Sequence, residues 1–248
     1  MKIGIMQPYL FPYLGYFQLI KAVDTFVVFD DVQYIKRGWI NRNQIQLNRN
    51  PYLFTFGVKK DTMTRPINQR FYAEDTYYAA RDDFLKTLSR SYRKAPYFKE
   101  VNELVTGILR YGDLNVSRFN VNALRKICDY AKINTPFILS SSLERDRGLR
   151  AQEAIIEINT ILGSRCYINP IGGRELYSLE EFERNGIALK FIRMHEMTYP
   201  QFSGDFIPNL SIIDVLMFSS RDEVEGLLNG YELVSDVEAR SGVLRARA

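Results

Sequence analysis

The sequence predicts an α/β fold built on a mostly parallel sheet. A strand, a helix and a second strand follow one another within the first thirty residues, which makes a βαβ unit with parallel pairing and a right-handed crossover. Short β-branched or aromatic runs then alternate with helix-spaced segments for most of the chain, a pattern of α/β rather than segregated α+β folds. The balance of 46% hydrophobic and 25% charged residues over 248 positions supports a large core without staples.

Taken in order, Lys2 to Met6 reads as a buried strand, and Gln7 to Gly15 as a loop, since Pro8 and Pro12 bar regular helix there. Tyr16 to Val23 has helical spacing, and Thr25 to Phe29 is a β-branched and aromatic strand. Leu53 to Val58 reads as a further strand. Tyr77-Tyr78, Phe84, Leu85 and Leu88 recur at helical spacing, Tyr97 to Leu109 follows Pro96, and Asn115 to Tyr130 gives a third helix capped by Asn115 or Ser117. Phe137 to Leu139 returns to the sheet, and Ala151 to Leu162 is a helix ended by Gly163. Cys166 to Ile168 is a short strand before the turn Asn169-Pro170-Ile171-Gly172-Gly173-Arg174, which reads either as a phosphate cradle of backbone amides or as a plain strand-to-helix turn. Leu179 to Arg184 is a short helix closed by Asn185-Gly186, Ala188 to Ile192 a strand, and Leu210 to Leu228 helical with a break near Ser219-Ser220. The organisation expected is a single α/β domain over 1–234, a helical insertion or subdomain over about 76–133, and a polar tail over 235–248.

Bulk properties narrow the function. A net charge of +4 suits an anionic small ligand, while basic residues spread along the chain argue against nucleic acid. Only Lys36-Arg37 and the Arg145–Arg150 stretch stand out as basic clusters. Two distant cysteines, Cys128 and Cys166, and one histidine argue against a structural zinc or a multi-histidine metal site, so no metal is expected. With no signal-like segment and no run approaching a membrane span, the expected location is the cytoplasm.

The richest chemistry follows the first two strands, where α/β folds place ligands. Gln7 and Tyr9 are expected to face the site, with Tyr13 and Tyr16 either pocket or core. Asp30 and Asp31 end the second strand; Asp31 suits a general base or an acceptor for a ligand amine, and Asp30 a structural role. The alternative is a strand-end turn or an ion pair with Lys36 or Arg37. Next come Gln33, Lys36, Arg37, Trp39, Asn41, Arg42 and Asn43. As a ligand clamp, Arg37 and Arg42 would grip a pyrophosphate, Lys36 would add a point charge, Trp39 would stack on a base or sugar, and the asparagines would bond hydroxyls. The bland reading is a solvated turn with Trp39 as a core anchor.

Further along, His195 sits just past a strand, either as a satisfied structural side chain or as the base for a sugar amine or alcohol. Gln201, Asn209, Ser211 and Asp214 cluster near the start of the last helix, where Asn209 or Ser211 would cap it. Asp214, a candidate catalytic carboxylate between Ile213 and Val215, is either on a solvated face or buried against a cation, with Arg37 or Arg42 as the expected partner. Cys166 in an apolar strand reads as buried and inert rather than as an acyl nucleophile.

The runs MQPYLFPYLGYFQLI (6–20), FDDVQYIKRGWINRN (29–43), INPIGGRELY (168–177) and YPQFSGDFIPNLSIIDVLMF (199–218) resemble the WbqC-like protein family over essentially 1–230. Ser219 stands where the family pattern leads one to expect Asn soon after the last motif. The resemblance implies a role in bacterial O-antigen or other surface-polysaccharide biosynthesis: transfer of glycine, or another aminoacyl or acyl group, to a nucleotide-linked amino sugar. A weaker similarity, to nucleotidyltransferase-like (HUP) folds, implies ATP-dependent carboxylate activation or nucleotidyl transfer. There the stretch Pro12 to Tyr16 stands where an HxGH motif would hold ATP phosphates; Gly15 would permit close approach of backbone to phosphate, but both histidines are missing. Ser140-Ser141-Ser142 with Arg145 resembles a second phosphate-binding motif of those enzymes. ATP and an acyl or aminoacyl carrier are therefore the cofactor candidates, and an anionic nucleotide sugar the expected partner. A non-catalytic binding protein of polysaccharide assembly is the competing reading. The residues do not fix the oligomeric state.

Overall fold

A computed structural model describes residues 1–202 and 204–235; the tail expected from residue 235 lies outside them except for Ser235. A six-stranded sheet forms the centre. Its first unit is β1 (Lys2–Met6), α1 (Leu14–Ala22) and β2 (Thr25–Val28), with β1 and β2 parallel in the register Ile3↔Thr25 to Met6↔Val28. Gly4 makes the close helix–sheet approach possible: a Cβ there would lie 3.2 Å from Leu19 of α1.

Between β2 and the next sheet strand lies a substantial excursion. It begins with the antiparallel hairpin β3 (Arg42–Leu47) and β4 (Asn50–Thr55), followed by the helices α2 (Glu74–Tyr92), α3 (Phe98–Leu109) and α4 (Val116–Tyr130). The strand expected at 53–58 is β4, displaced toward its turn, and its partner β3 was not anticipated. Asn48 (φ 51°) and Arg49 (φ 63°) are both left-handed at the turn, as two-residue hairpin loops require, but an Asn-Arg pair lacks the glycine that usually advertises it. Asn115 caps α4, its side chain accepting from the Arg118 amide at 3.1 Å.

The chain re-enters the sheet as β5 (Phe137–Leu139), parallel to β2. Then come α5 (Ala151–Ile161), β6 (Cys166–Pro170), α6 (Leu179–Arg184), β7 (Ala188–Met194), α7 (Ile212–Phe218), α8 (Arg221–Leu228) and β8 (Tyr231–Val234). The break between the last two helices falls at Ser219, and Ser220 caps α8 in a reciprocal capping box with Glu223. Edge strand β8, which no clear sequence pattern announces, pairs antiparallel with β7. The strand order is β5-β2-β1-β6-β7-β8.

Alternation along the strands divides the core. Phe26 and Val28, Ile168 and Ile192 face α1, α8 and the helices of the excursion. Ile3, Ile5, Val27, Tyr167, Leu189 and Phe191 face the other way, onto Ile155 and Ile158 of α5 and Phe182 of α6. Helices thus cover both faces. From β1 the chain moves to β2 on one side and later to β6 on the other, so strand order reverses between β1 and β6. Above the carboxyl ends of such a pair the connecting loops diverge and leave a crevice.

Candidate functional site

Asp30 and Asp31, emerging from β2, organise one wall of this crevice. Asp30 is buried and accepts hydrogen bonds from the Ser141 amide (3.0 Å) and hydroxyl (2.9 Å) and from the Ser117 hydroxyl (3.2 Å). The Ser140 hydroxyl contacts both Asp30 and Asp31, but one proton serves only one acceptor at a time. Asp31 takes up cations from the loop after β5: Arg145 Nη2 at 2.8 Å and Nε at 3.1 Å, and Arg147 in direct contact. The cations are therefore Arg145 and Arg147, not the Lys36 or Arg37 of the sequence expectation.

Arg147 also donates to the carbonyls of Ser140 (3.2 Å), Ser141 (3.1 Å) and Leu143 (2.9 Å), and so splints the loop that carries it. Arg145 is buried, and burial lowers its pKa against the opposing pull of Glu157, Asp146 and Asp30; an arginine nevertheless stays charged. Arg150 precedes α5, whose first turn receives no side-chain cap, and Ala151 is held at φ 44°. A cavity of about 460 Å³ opens here, lined by Asp31, Gln33, Arg145, Arg147, Arg150 and Ala151 among others. Three guanidiniums against one carboxylate, beside the positive end of a helix that no side chain caps, make a wall suited to an anion.

A second cavity, about 330 Å³, continues from the first through Phe29 and Ala151 to the β1/β6 junction. Gln7, Tyr9, Asn169, Gly173 and Tyr177 line it. The segment after β6, expected as a phosphate-cradling or plain turn, is a 3₁₀ turn over Ile171–Leu176. At Gly173 the Asn169 side chain packs closely: a Cβ would lie 2.4 Å from its Nδ2. Tyr9 also reaches a third cavity of about 260 Å³, walled by Tyr9, Pro12, Tyr13, Trp39, Asn43 and Asn209.

The 36–43 loop is organised differently from a free clamp. Arg37 is exposed with φ 61°, and Arg42 donates to the Gly38 carbonyl at 3.0 Å and to that of Arg37. Arg42 lies over the Trp39 ring at 5.7 Å. Neither arginine, nor Lys36, lines the three cavities. Asn41 is buried between the Tyr34 hydroxyl and the Phe56 carbonyl, and Asn43 ties down the Leu10 and Phe11 carbonyls. Trp39 is 42% exposed, which excludes the reading of it as a core anchor. Gly15, expected to let backbone approach a phosphate, is instead buried beneath a ring: a Cβ would stand 2.5 Å from Tyr13 Cε2.

Asp214 is buried, but not against a cation. The Tyr92 hydroxyl (2.6 Å), the Tyr199 hydroxyl (2.8 Å) and Gln201 Nε2 (2.8 Å) surround its carboxylate, which corrects the expected pairing with Arg37 or Arg42. Three neutral donors satisfy the oxygens without bringing a second charge into the core. Gln201 is a strut, bonded also to both polar groups of Ile207. Ser211, not Asn209, caps α7 and donates to the Phe11 carbonyl at 2.8 Å. His195 is exposed beyond β7 and lines none of the three cavities. Cys166 opens β6, at the end of that strand away from the crevice, and burial raises its thiol pKa.

Burial also raises the Asp214 pKa, partly offset by its three hydrogen bonds. A raised native value means that the native state holds the proton more tightly than the unfolded chain. Its contribution is complete below the ordinary carboxylate range and is lost as pH rises through the raised value. The melting temperature of the wild type relative to Asp214→Asn is therefore expected to fall between acid and neutral pH. A difference that stays constant or grows with pH contradicts this.

A model of the WbqC-like protein family matches residues 7–226, from the loop after β1 into α8. The chain belongs to the WbqC-like protein family. It is 28% identical over 218 residues to the uncharacterized protein Rv1507c of Mycobacterium tuberculosis, covering 87% of this chain and 92% of that one. No solved structure matches. Among the described residues no helix is long and apolar enough to cross a membrane.

The crevice residues that the sequence does not single out as site candidates are chiefly Arg145, Arg147, Arg150, Ser117 and Tyr177. The arginines were visible as a basic cluster, and Ser140 to Arg145 as a phosphate-motif resemblance. Their meeting with Asp31, more than a hundred residues away in sequence, left no local signal.

Proposed function

We propose that this protein is a transferase that binds a phosphorylated, nucleotide-linked amino sugar and acylates its amine, with glycyl or another aminoacyl or acyl group as cargo, in bacterial surface-polysaccharide (O-antigen) biosynthesis. One observation carries the binding half: Arg145, Arg147 and Arg150 meet the uncapped start of α5 in a cavity that continues into the one at the β1/β6 junction, where strand order reverses. Doubly wound sheets hold nucleotides at such points, and a diphosphate matches guanidiniums and helix amides together. The WbqC-like resemblance supplies the choice of reaction.

In this reading the diphosphate lies along Arg145, Arg147 and Arg150 and competes with Asp31 for the guanidiniums. The released Asp31 carboxylate then faces the acceptor. The amine nitrogen attacks the acyl carbonyl and a C–N bond forms. The bond from carbonyl to carrier breaks, its electron pair leaving with the carrier, and the amine proton passes to Asp31. His195 lines none of the three cavities and is assigned no step.

Incubation with a nucleotide-linked amino sugar and candidate thioester or ester donors, followed by mass spectrometry, tests the reading. An acylated sugar nucleotide is expected; failure of calorimetry to detect any nucleoside diphosphate or sugar nucleotide would overturn it. A second reading, ATP-dependent activation of a carboxylate, is favoured by Arg145, which follows Ser140–Ser142 in the phosphate-motif resemblance and lines the same cavity. Pyrophosphate release from ATP in the presence of an amino acid distinguishes it.

A further inference from the structure

We propose that the cavity between Tyr9, Tyr13 and Trp39 is a separate subsite for a neutral pyranose ring, next to the anion-binding crevice. Its walls are three aromatic side chains, Pro12 and the carboxamides of Asn43 and Asn209, enclosing about 260 Å³. Among the described residues, no carboxylate, guanidinium or ammonium lines it. Burial raises the Tyr9 and Tyr13 pKa values, so both phenols stay protonated and donate. Aromatic faces take the C–H face of a sugar, and amides and phenols take its hydroxyls. A phosphate or carboxylate finds no counter-charge among these walls, which separates this cavity from the arginine-lined one.

The walls are held in place. The Leu10 amide donates to the Trp39 carbonyl at 3.2 Å, which joins the tryptophan loop to the loop after β1. Arg42 lies over the indole. Asn43 is buried with both amide donors committed to backbone, while its oxygen, accepting from the Gln44 amide, keeps a second lone pair. Asn209 is exposed on a left-handed backbone (φ 58°) and lines the cavity. Tyr9 belongs to this cavity and to the crevice at once, so a ring seated here lies beside a ligand at the β1/β6 junction. The inference goes beyond the proposed function, on which the neighbouring diphosphate rests: the ring placed here is a neutral one, apart from the acceptor amine that faces Asp31.

The chain has a single tryptophan, so its emission reports this cavity alone. Glucose, galactose, N-acetylglucosamine, rhamnose and fucose are titrated while Trp39 emission is followed, and nucleoside diphosphate binding is measured separately by calorimetry. At least one monosaccharide is expected to change the emission saturably, and Asn209→Ala to weaken that sugar at least about fivefold, as loss of one neutral hydrogen bond predicts, with diphosphate affinity unchanged. If no sugar moves Trp39 while the diphosphate binds, the subsite is overturned and the crevice reading stands. A sugar response without diphosphate binding keeps the subsite and overturns the crevice reading. Failure of both overturns both, and a sugar response unchanged in Asn209→Ala overturns the assignment to this cavity.

Discussion

Replacing Asp30 by alanine is expected to destabilise the protein by about 3–5 kcal/mol, several buried donors being left unsatisfied at about 1–3 kcal/mol each. Among the described residues no cation is in salt-bridge contact with Asp30; its charge is met by the Ser141 amide and by hydroxyls from α4 and from the loop after β5. Removing it strands those donors in a buried place, and an unsatisfied buried group costs its full desolvation. Three segments lose their common anchor: the end of β2, the start of α4 and the loop bearing Arg145 and Arg147. For a chain of this size the melting temperature should drop by roughly 6–20 °C. A loss below about 1 kcal/mol in denaturant titration would mean that the network contributes little.

Arg147→Ala is expected to weaken nucleoside diphosphate binding by roughly 30–200-fold, equivalent to about 2–3 kcal/mol for charge-assisted bonds to phosphate. Arg147 is half-exposed at the cavity mouth, so its removal should spare the fold more than Asp30→Ala does. Arg37→Ala provides the contrast. Arg37 is exposed outside the three cavities, and its effect should stay within about threefold, as for a rim charge. Calorimetry on both variants decides; equal losses, or a larger loss for Arg37→Ala, would return the diphosphate to the 36–43 loop.

The sheet was legible where local pattern and tertiary role coincide. β1, α1 and β2 declare themselves through Ile3, Ile5 and Val27 on one face and Phe26 and Val28 on the other. The β3–β4 hairpin hid behind its glycine-free turn, and β8, four residues long, has its pairing decided by β7 rather than by its own pattern. The site divides the same way. Carboxylates after β2 are a local signal, and the sequence placed Asp31 toward ligand-binding chemistry and Asp30 toward structure. What Asp31 pairs with is a long-range fact: the cations were assigned from proximity in sequence, whereas β5 beside β2 brings Arg145 and Arg147 instead. Burial of Asp214 could be read from its apolar neighbours, but not that two tyrosines and a glutamine would replace the expected cation.

The most direct measurement is a crystal structure of the protein with a nucleoside diphosphate bound. The phosphate oxygens should lie within hydrogen-bond reach of Arg145, Arg147 or Arg150 and of the first amides of α5. A diphosphate held by Arg37 and Arg42, with the start of α5 unengaged, would contradict the account.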